Sequence, residues 1–227
     1  MENIRISHFS DVLCIWAYLS EIRLVELRNN YGDKVKFDFH YFNVFGNTAK
    51  KFKTDWQDRG GSDGYASHVM NIASQFDHIS VHPDIWKKNI PASSMPCHLF
   101  LCAVKHYLLE EGNDNYHSGH LLEKFAWLIR ESFFKNLADI SREKELFSIA
   151  ETLGLPTDRI EKSLANGMAY ALYSNDLDLA REHGVRASPT MILNEGRQIL
   201  MGNVGYRVID ANIRELLHIS LDQKSWC

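Results

Sequence analysis

The chain has 227 residues, of which 45% are hydrophobic and 24% charged, with a net charge of −4 and a pI near 6.2. That length can bury a substantial core, and the balance is that of a globular protein. No concentrated basic surface is visible to drive binding to nucleic acid or to an anionic membrane by counterion release.

Met1 to Asp11 lacks a basic stretch leading into an apolar one, so a secretory signal is not expected. No apolar run approaches the ~20 residues of a membrane span, and a cytoplasmic location is the expectation. Asn3 to Phe9 alternates Ile4 and Ile6 with polar residues and predicts a strand. A helical pattern follows, with Ile15, Tyr18, Leu19, Ile22 and Val25 on one face. It runs to about Asn30, where Tyr31-Gly32-Asp33 ends it. Val35 to Asn43 alternates again as a second strand. Strand, helix and strand over this length form a βαβ unit with parallel strands.

The basic run Lys50-Lys51-Phe52-Lys53 reads as a solvated loop. From about Asp63 to Gly184 nearly everything reads as helix. Gly112, Gly154, Gly167 and Gly184 sit at C-cap positions. Ser93-Ser94, Ser141 and Thr157-Asp158 mark helix starts. Thr190 to Leu193 and Gln198 to Met201 flank Asn194-Glu195-Gly196-Arg197, a hairpin turn. A final helix spans about Arg207 to Ser220. The expected fold class is α/β, with the two halves of one sheet at opposite ends of the chain. Residues 1–55 and 172–227 then form a discontinuous sheet domain, and 56–171 a helical insertion.

Cys14 lies where the first strand gives way to the first helix. A thiolate there meets unpaired backbone N–H groups and the positive end of the helix dipole, so Cys14 is expected to ionise more readily than a free thiol. Position alone leaves open that it is one more small buried residue. Pro189, in Ala187-Ser188-Pro189-Thr190, opens a strand, where a missing N–H is tolerated; a cis bond would fit there.

Asp11-Val12-Leu13-Cys14-Ile15-Trp16-Ala17-Tyr18-Leu19 resembles the Asp-x-x-Cys-Pro-Trp-Cys-Tyr-Leu segment of DsbA-like oxidoreductases. Gly184 to Thr190 resembles the segment of the same group that ends in cis-proline. Arg130 to Phe134, Asp139 to Ser141 and Leu146 to Leu155 resemble its helical insertion. The resemblance implies a thioredoxin fold interrupted by a large all-helical insertion. It also implies a pocket over Cys14, with Trp16 as a wall and Ser188 and Pro189 docking the partner in the manner of an added strand. The same architecture is shared by 2-hydroxychromene-2-carboxylate isomerases and kappa-class glutathione transferases, which carry serine where Cys14 stands. Related enzymes are often dimers, so a homodimer is expected from the resemblance.

The departures narrow the chemistry. Ala17 replaces the second cysteine, so Cys14 has no local thiol to close a disulfide. What remains is a monothiol route, in which an external thiol such as glutathione resolves the mixed disulfide. Glutathione is therefore expected as a co-substrate, with no tightly bound cofactor. Gly202-Asn203-Val204-Gly205 stands where glutathione-binding relatives have a Ser-Asp pair, and Asn203 replaces its hydrogen bonding but not its charge. The leading expectation is a thiol-disulfide oxidoreductase or thioltransferase acting through Cys14 on a small-molecule thiol, a disulfide or a peptide. A glutathione-dependent isomerase or transferase, and a non-catalytic binding scaffold, are the rivals.

Other signals are weaker. Cys97 and Cys102 are five apart on a helix and read as packing residues, with a resolving role left open. Cys227 reads as a frayed tail. His78 to His82 and His117 to His120 lack a metal-binding pattern. No Gly-rich phosphate loop follows a strand, so no nucleotide is implied.

Overall fold

The structure is a computed structural model that describes residues 3–112 and 120–218. Strand β1 (Ile4–Ser10) leads into helix α1 (Ile15–Tyr31) and then strand β2 (Val35–Tyr41). β1 and β2 pair in parallel from Ile4↔Val35 to Ser10↔Tyr41, as a βαβ crossover requires. At the other end of the chain, β3 (Thr190–Leu193) pairs antiparallel with β1, and β4 (Gln198–Met201) antiparallel with β3. The sheet order is β2-β1-β3-β4, so β1 is central and sequence-distant strands meet beside it. Helix α9 (Tyr206–His218) follows.

Between the two halves lie α2 (Thr48–Asp55), α3 (Gly61–Ala73), α4 (Met95–Glu110), α5 (His120–Phe134), α6 (Glu143–Thr152), α7 (Thr157–Ala165) and α8 (Met168–Glu182). Gly154 and Gly184 follow helices α6 and α8 with positive φ, where a side chain would be strained. Among the described residues, no helix is long and apolar enough to cross a membrane.

Three expectations need correcting. The Lys50–Lys53 run is not a loop but the middle of α2, whose start is capped by Asn47 accepting from the Lys50 amide. Lys50 and Lys53 are exposed, Lys51 lies over the Phe45 ring, and Phe52 is buried against Tyr65 and Trp86. On α1 the buried face runs through Tyr18, Glu21, Leu24 and Leu27, while Ile22 and Val25 are 48% and 47% exposed. Those two instead line an open groove with Trp127 of α5. Ser141 does not cap α6; its hydroxyl bonds Asp139, and α6 starts after Arg142.

Two buried ionic sites tie the helices to the sheet. Arg130 of α5 donates to Glu21 of α1 at 3.0 Å and to the Ser10 hydroxyl at 2.8 Å. Lys105 of α4 donates to the Phe39 carbonyl and to Asp176 of α8, and Asp176 also accepts from the Tyr41 amide and pairs with His40. Such pairs cost desolvation, and excellent geometry is what offsets it.

Candidate active site around Cys14

Cys14 is the N-cap residue of α1, with extended backbone angles and its carbonyl accepting from the amides of Ala17 and Tyr18. Its side chain makes no cap bond. The sulfur points to the other end of the chain and lies 3.2 Å from the Ser188 carbonyl oxygen. The Ser188–Pro189 peptide bond is cis. The Ser188 hydroxyl accepts from the Asp11 amide at 3.0 Å, so the turn before α1 and the loop before β3 are bonded twice.

Beneath Cys14 sits Asp11, fully buried and surrounded by donors. One carboxylate oxygen accepts from the Leu13 amide at 2.9 Å. The other accepts from the amides of Val44 and Phe45 and the hydroxyl of Ser94, each at 2.8 Å. Burial opposes the charge, but the His98 imidazole and the amides of Phe45 and Leu13 hold the Asp11 carboxyl below its ordinary value. His98 Nε2 lies 3.2 Å from the Val12 amide nitrogen and 3.6 Å from the Asp11 carboxylate. Its Nδ1 faces the Tyr173 hydroxyl at 3.2 Å, and Tyr173 donates in turn to Asn43. One carboxylate thus joins the Cys14 turn, the loop after β2 and the start of α4.

The expected readiness to ionise is overturned. Cys14 is only 6% exposed, and burial pushes its thiol above the ordinary value. The Ser188 side chain and the amides of Ala17 and Trp16 favour the thiolate, while the nearby Asp11 charge opposes it. Desolvation wins over the helix N-terminus. A carbonyl oxygen can only accept, so the contact to Ser188 also keeps the proton on sulfur.

Helix α3 supplies a neighbour that periodicity did not single out. Tyr65 is packed among Phe45, Trp56 and Trp86, with ring centroids 5.6, 4.9 and 5.3 Å away. Burial, together with the nearby Asp11 charge, pushes its phenol well up. Trp16 is half-buried against the main core. Asn203 is exposed, and its side-chain oxygen accepts from Arg23 of α1 at 2.5 Å. The Gly202 amide donates to the Pro189 carbonyl at 2.7 Å, which places the Gly202–Val204 turn beside the cis-proline.

Cys97 and Cys102 are buried free thiols. Cys97 donates to the Ile140 carbonyl at 3.0 Å, and Cys102 lies 3.9 Å from Asp176. Burial raises both thiols far above their ordinary value. Cys227 and His117 lie outside the described residues. Among the described residues, no group of three or more His, Cys, Asp or Glu side chains could hold a metal ion.

A four-stranded sheet bracketing a helical insertion, with a cysteine at the start of α1 against a cis-proline loop, defines a DsbA-like thioredoxin fold. The thioredoxin family model matches residues 8–202, and the chain belongs to that family. No curated protein sequence matches it. Among solved structures it is similar to a probable DsbA oxidoreductase from Streptomyces coelicolor, with a TM-score of 0.72 at 16% identity, covering 98% of this chain and 94% of that one. It is also similar to the cytosolic disulfide reductase DsbM from Pseudomonas aeruginosa with GSH, with a TM-score of 0.68 at 14% identity, covering 95% and 100%. A 2-hydroxychromene-2-carboxylate isomerase has a TM-score of 0.63 at 15% identity, covering 94% and 96%.

Proposed function

We propose that the protein is a monothiol thiol-disulfide exchange enzyme acting through Cys14. The observation that carries this reading is the contact of the Cys14 sulfur with the Ser188 carbonyl beside the cis Pro189 bond, at the start of α1. On release from that contact Cys14 loses its proton to solvent, and the thiolate attacks a disulfide R–S–S–R. A Cys14–S–S–R bond forms, and R–S⁻ leaves and takes up a proton. With alanine at position 17, a second thiolate from solution completes the cycle by attacking that bond and expelling Cys14 as thiolate. Glutathione is the external thiol we assign, in keeping with a reducing, cytosolic setting. Trp16, Ser188, Pro189 and Asn203 are the residues we assign to binding it or its partner. Cys14→Ser should abolish exchange with a small disulfide, measured as release of the leaving thiol; undiminished release from that variant would overturn the reading.

One observation favours a second reading. A protonated Cys14 whose S–H points at a carbonyl suits a donor that positions a bound thiol and is not itself oxidised. In a glutathione-dependent isomerase of that kind, Cys14→Ser would keep its turnover, because a hydroxyl supplies the same donor.

A further inference from the structure

The apolar residues that α1 leaves outside the core have a setting of their own. Ile22 and Val25 of α1 and Trp127 of α5 line a groove of about 520 Å³, a size that suits a small molecule. Along α1, Glu21 lies roughly 10 Å from Cys14 and Asn29 roughly 22 Å, so the groove runs away from the exchange thiol. Its floor is ionic and closed. Two ion pairs join α1 to α5 there, Glu21 with Arg130 at 3.0 Å and Arg28 with Glu123. Both lining carboxylates are thereby matched with a guanidinium. The walls are apolar: Ile22 and Val25 are exposed, and the Trp127 ring is held against Tyr18 with centroids 4.9 Å apart. The mouth is cationic. Lys124 lines it, is exposed, and has no carboxylate partner among the described residues. His120, one turn before Lys124, is held below its ordinary value by burial and then by the charges of Arg28 and Lys124, so both cations are felt at this end.

We propose that the groove between α1 and α5 binds a small amphipathic carboxylate, with its alkyl or aryl body against Ile22, Val25 and Trp127 and its anionic end at Lys124. The assignment is independent of exchange at Cys14. Covering three apolar side chains supplies the affinity, and the sign of the charge at the mouth supplies the selection. A cationic head on the same body would meet Lys124, with both lining carboxylates already taken. A neutral head would lose only the ion pair.

The test titrates isotope-labelled protein with three probes that share one body: 4-phenylbutyrate, 4-phenylbutan-1-ol and 4-phenylbutylamine. Binding is read by NMR from the Trp127 indole N–H signal, assigned with Trp127→Phe. The carboxylate should shift that signal with a Kd below about 1 mM. It should bind about threefold to tenfold more tightly than the amine at low salt, and the ratio should shrink as salt rises. Lys124→Glu should bring the ratio to one or below, while Val25→Ser should weaken all three probes alike by about threefold to fivefold. Neither change touches the Cys14 turn, so Cys14 alkylation should keep its unaltered rate in both. A ratio of one or less in the unaltered protein, or a ratio that Lys124→Glu leaves in place, would overturn the proposal. So would the absence of any shift at Trp127 up to about 5 mM carboxylate, well above the affinity a body of this size should reach. A dimer in sedimentation that Val25→Ser dissolves would also overturn it, since a second copy would then cover the groove.

Discussion

The sulfur of Cys14 and the carbonyl oxygen of Ser188 lie 3.2 Å apart, joining the start of α1 to the residue before Pro189. The Cys14 thiol therefore rests closed and protonated, held by burial more than it is favoured as thiolate by the helix end. On the proposed mechanism, exchange begins when that contact opens.

Alkylation by iodoacetamide reports that state directly. Because burial raises the folded thiol above its ordinary 9.0, Cys14 should react more slowly in the folded protein than in urea at about pH 8. The sign for stability follows: as pH rises past 9.0, unfolded chains release thiol protons that the native state retains, so stability falls. Equal alkylation rates in folded and unfolded protein would contradict the closed state.

Acid weakens the protein through a different group. His8, buried at the centre of the sheet, is lowered from 6.5 to about 3, mainly by burial and then by the charge of Arg130. Between those values the unfolded chain binds a proton that the native state refuses. Stability is therefore lost as pH falls from 6.5 toward 3, by on the order of 5 kcal/mol in full. Urea titrations of His8→Leu should show a flatter slope across that window, whatever its stability at neutral pH.

Asp11 holds the Cys14 turn with four hydrogen bonds, and an amide can replace only some of them. Asp11→Asn should cost about 2–4 kcal/mol by chemical denaturation, since one of the two oxygen positions becomes an NH₂ that must face a donor, at the least the Leu13 amide. The same change should speed Cys14 alkylation, because it removes the charge that opposes the thiolate.

The Arg130–Glu21 pair is open to a double-mutant cycle. Arg130→Met should destabilise by about 3–5 kcal/mol by leaving the Glu21 carboxylate buried without its cation. Adding Glu21→Leu should recover a large part of that loss.

Ala17 is buried one turn into α1, and its amide donates to the Cys14 carbonyl. The Ala17→Cys variant should form an intramolecular disulfide with Cys14 under mild oxidation, seen as the loss of two hydrogens by mass. Failure to do so would mean that the turn around Cys14 does not present position 17 to the sulfur.

The parts of this fold that were legible in the sequence are those set by local pattern. The alternation of Val35 to Tyr41 and the turn at Asn194 to Arg197 each needed only neighbours in the chain. The resemblance of Asp11 to Leu19 and of Gly184 to Thr190 supplied the pairing of Cys14 with Pro189, which no periodicity could. What stayed hidden was tertiary. Phe52 alone among three lysines gave too little apolar signal for α2, although it packs on Tyr65 and Trp86. The partners of Asp11 come from residues 44, 45 and 94, and nothing local hints at them. The helix end at Cys14 predicted an acidic thiol, but the burial that outweighs it comes from distant segments.

The most direct measurement is to incubate the protein with oxidised glutathione over a pH series and locate the adduct by peptide mass spectrometry. Glutathione should appear on Cys14 and not on the buried Cys97 or Cys102, with a rate that climbs as the pH approaches and passes the ordinary thiol value of 9.0. An adduct confined to another cysteine, or none on Cys14 at any pH where the protein stays folded, would contradict Cys14 as the exchange thiol.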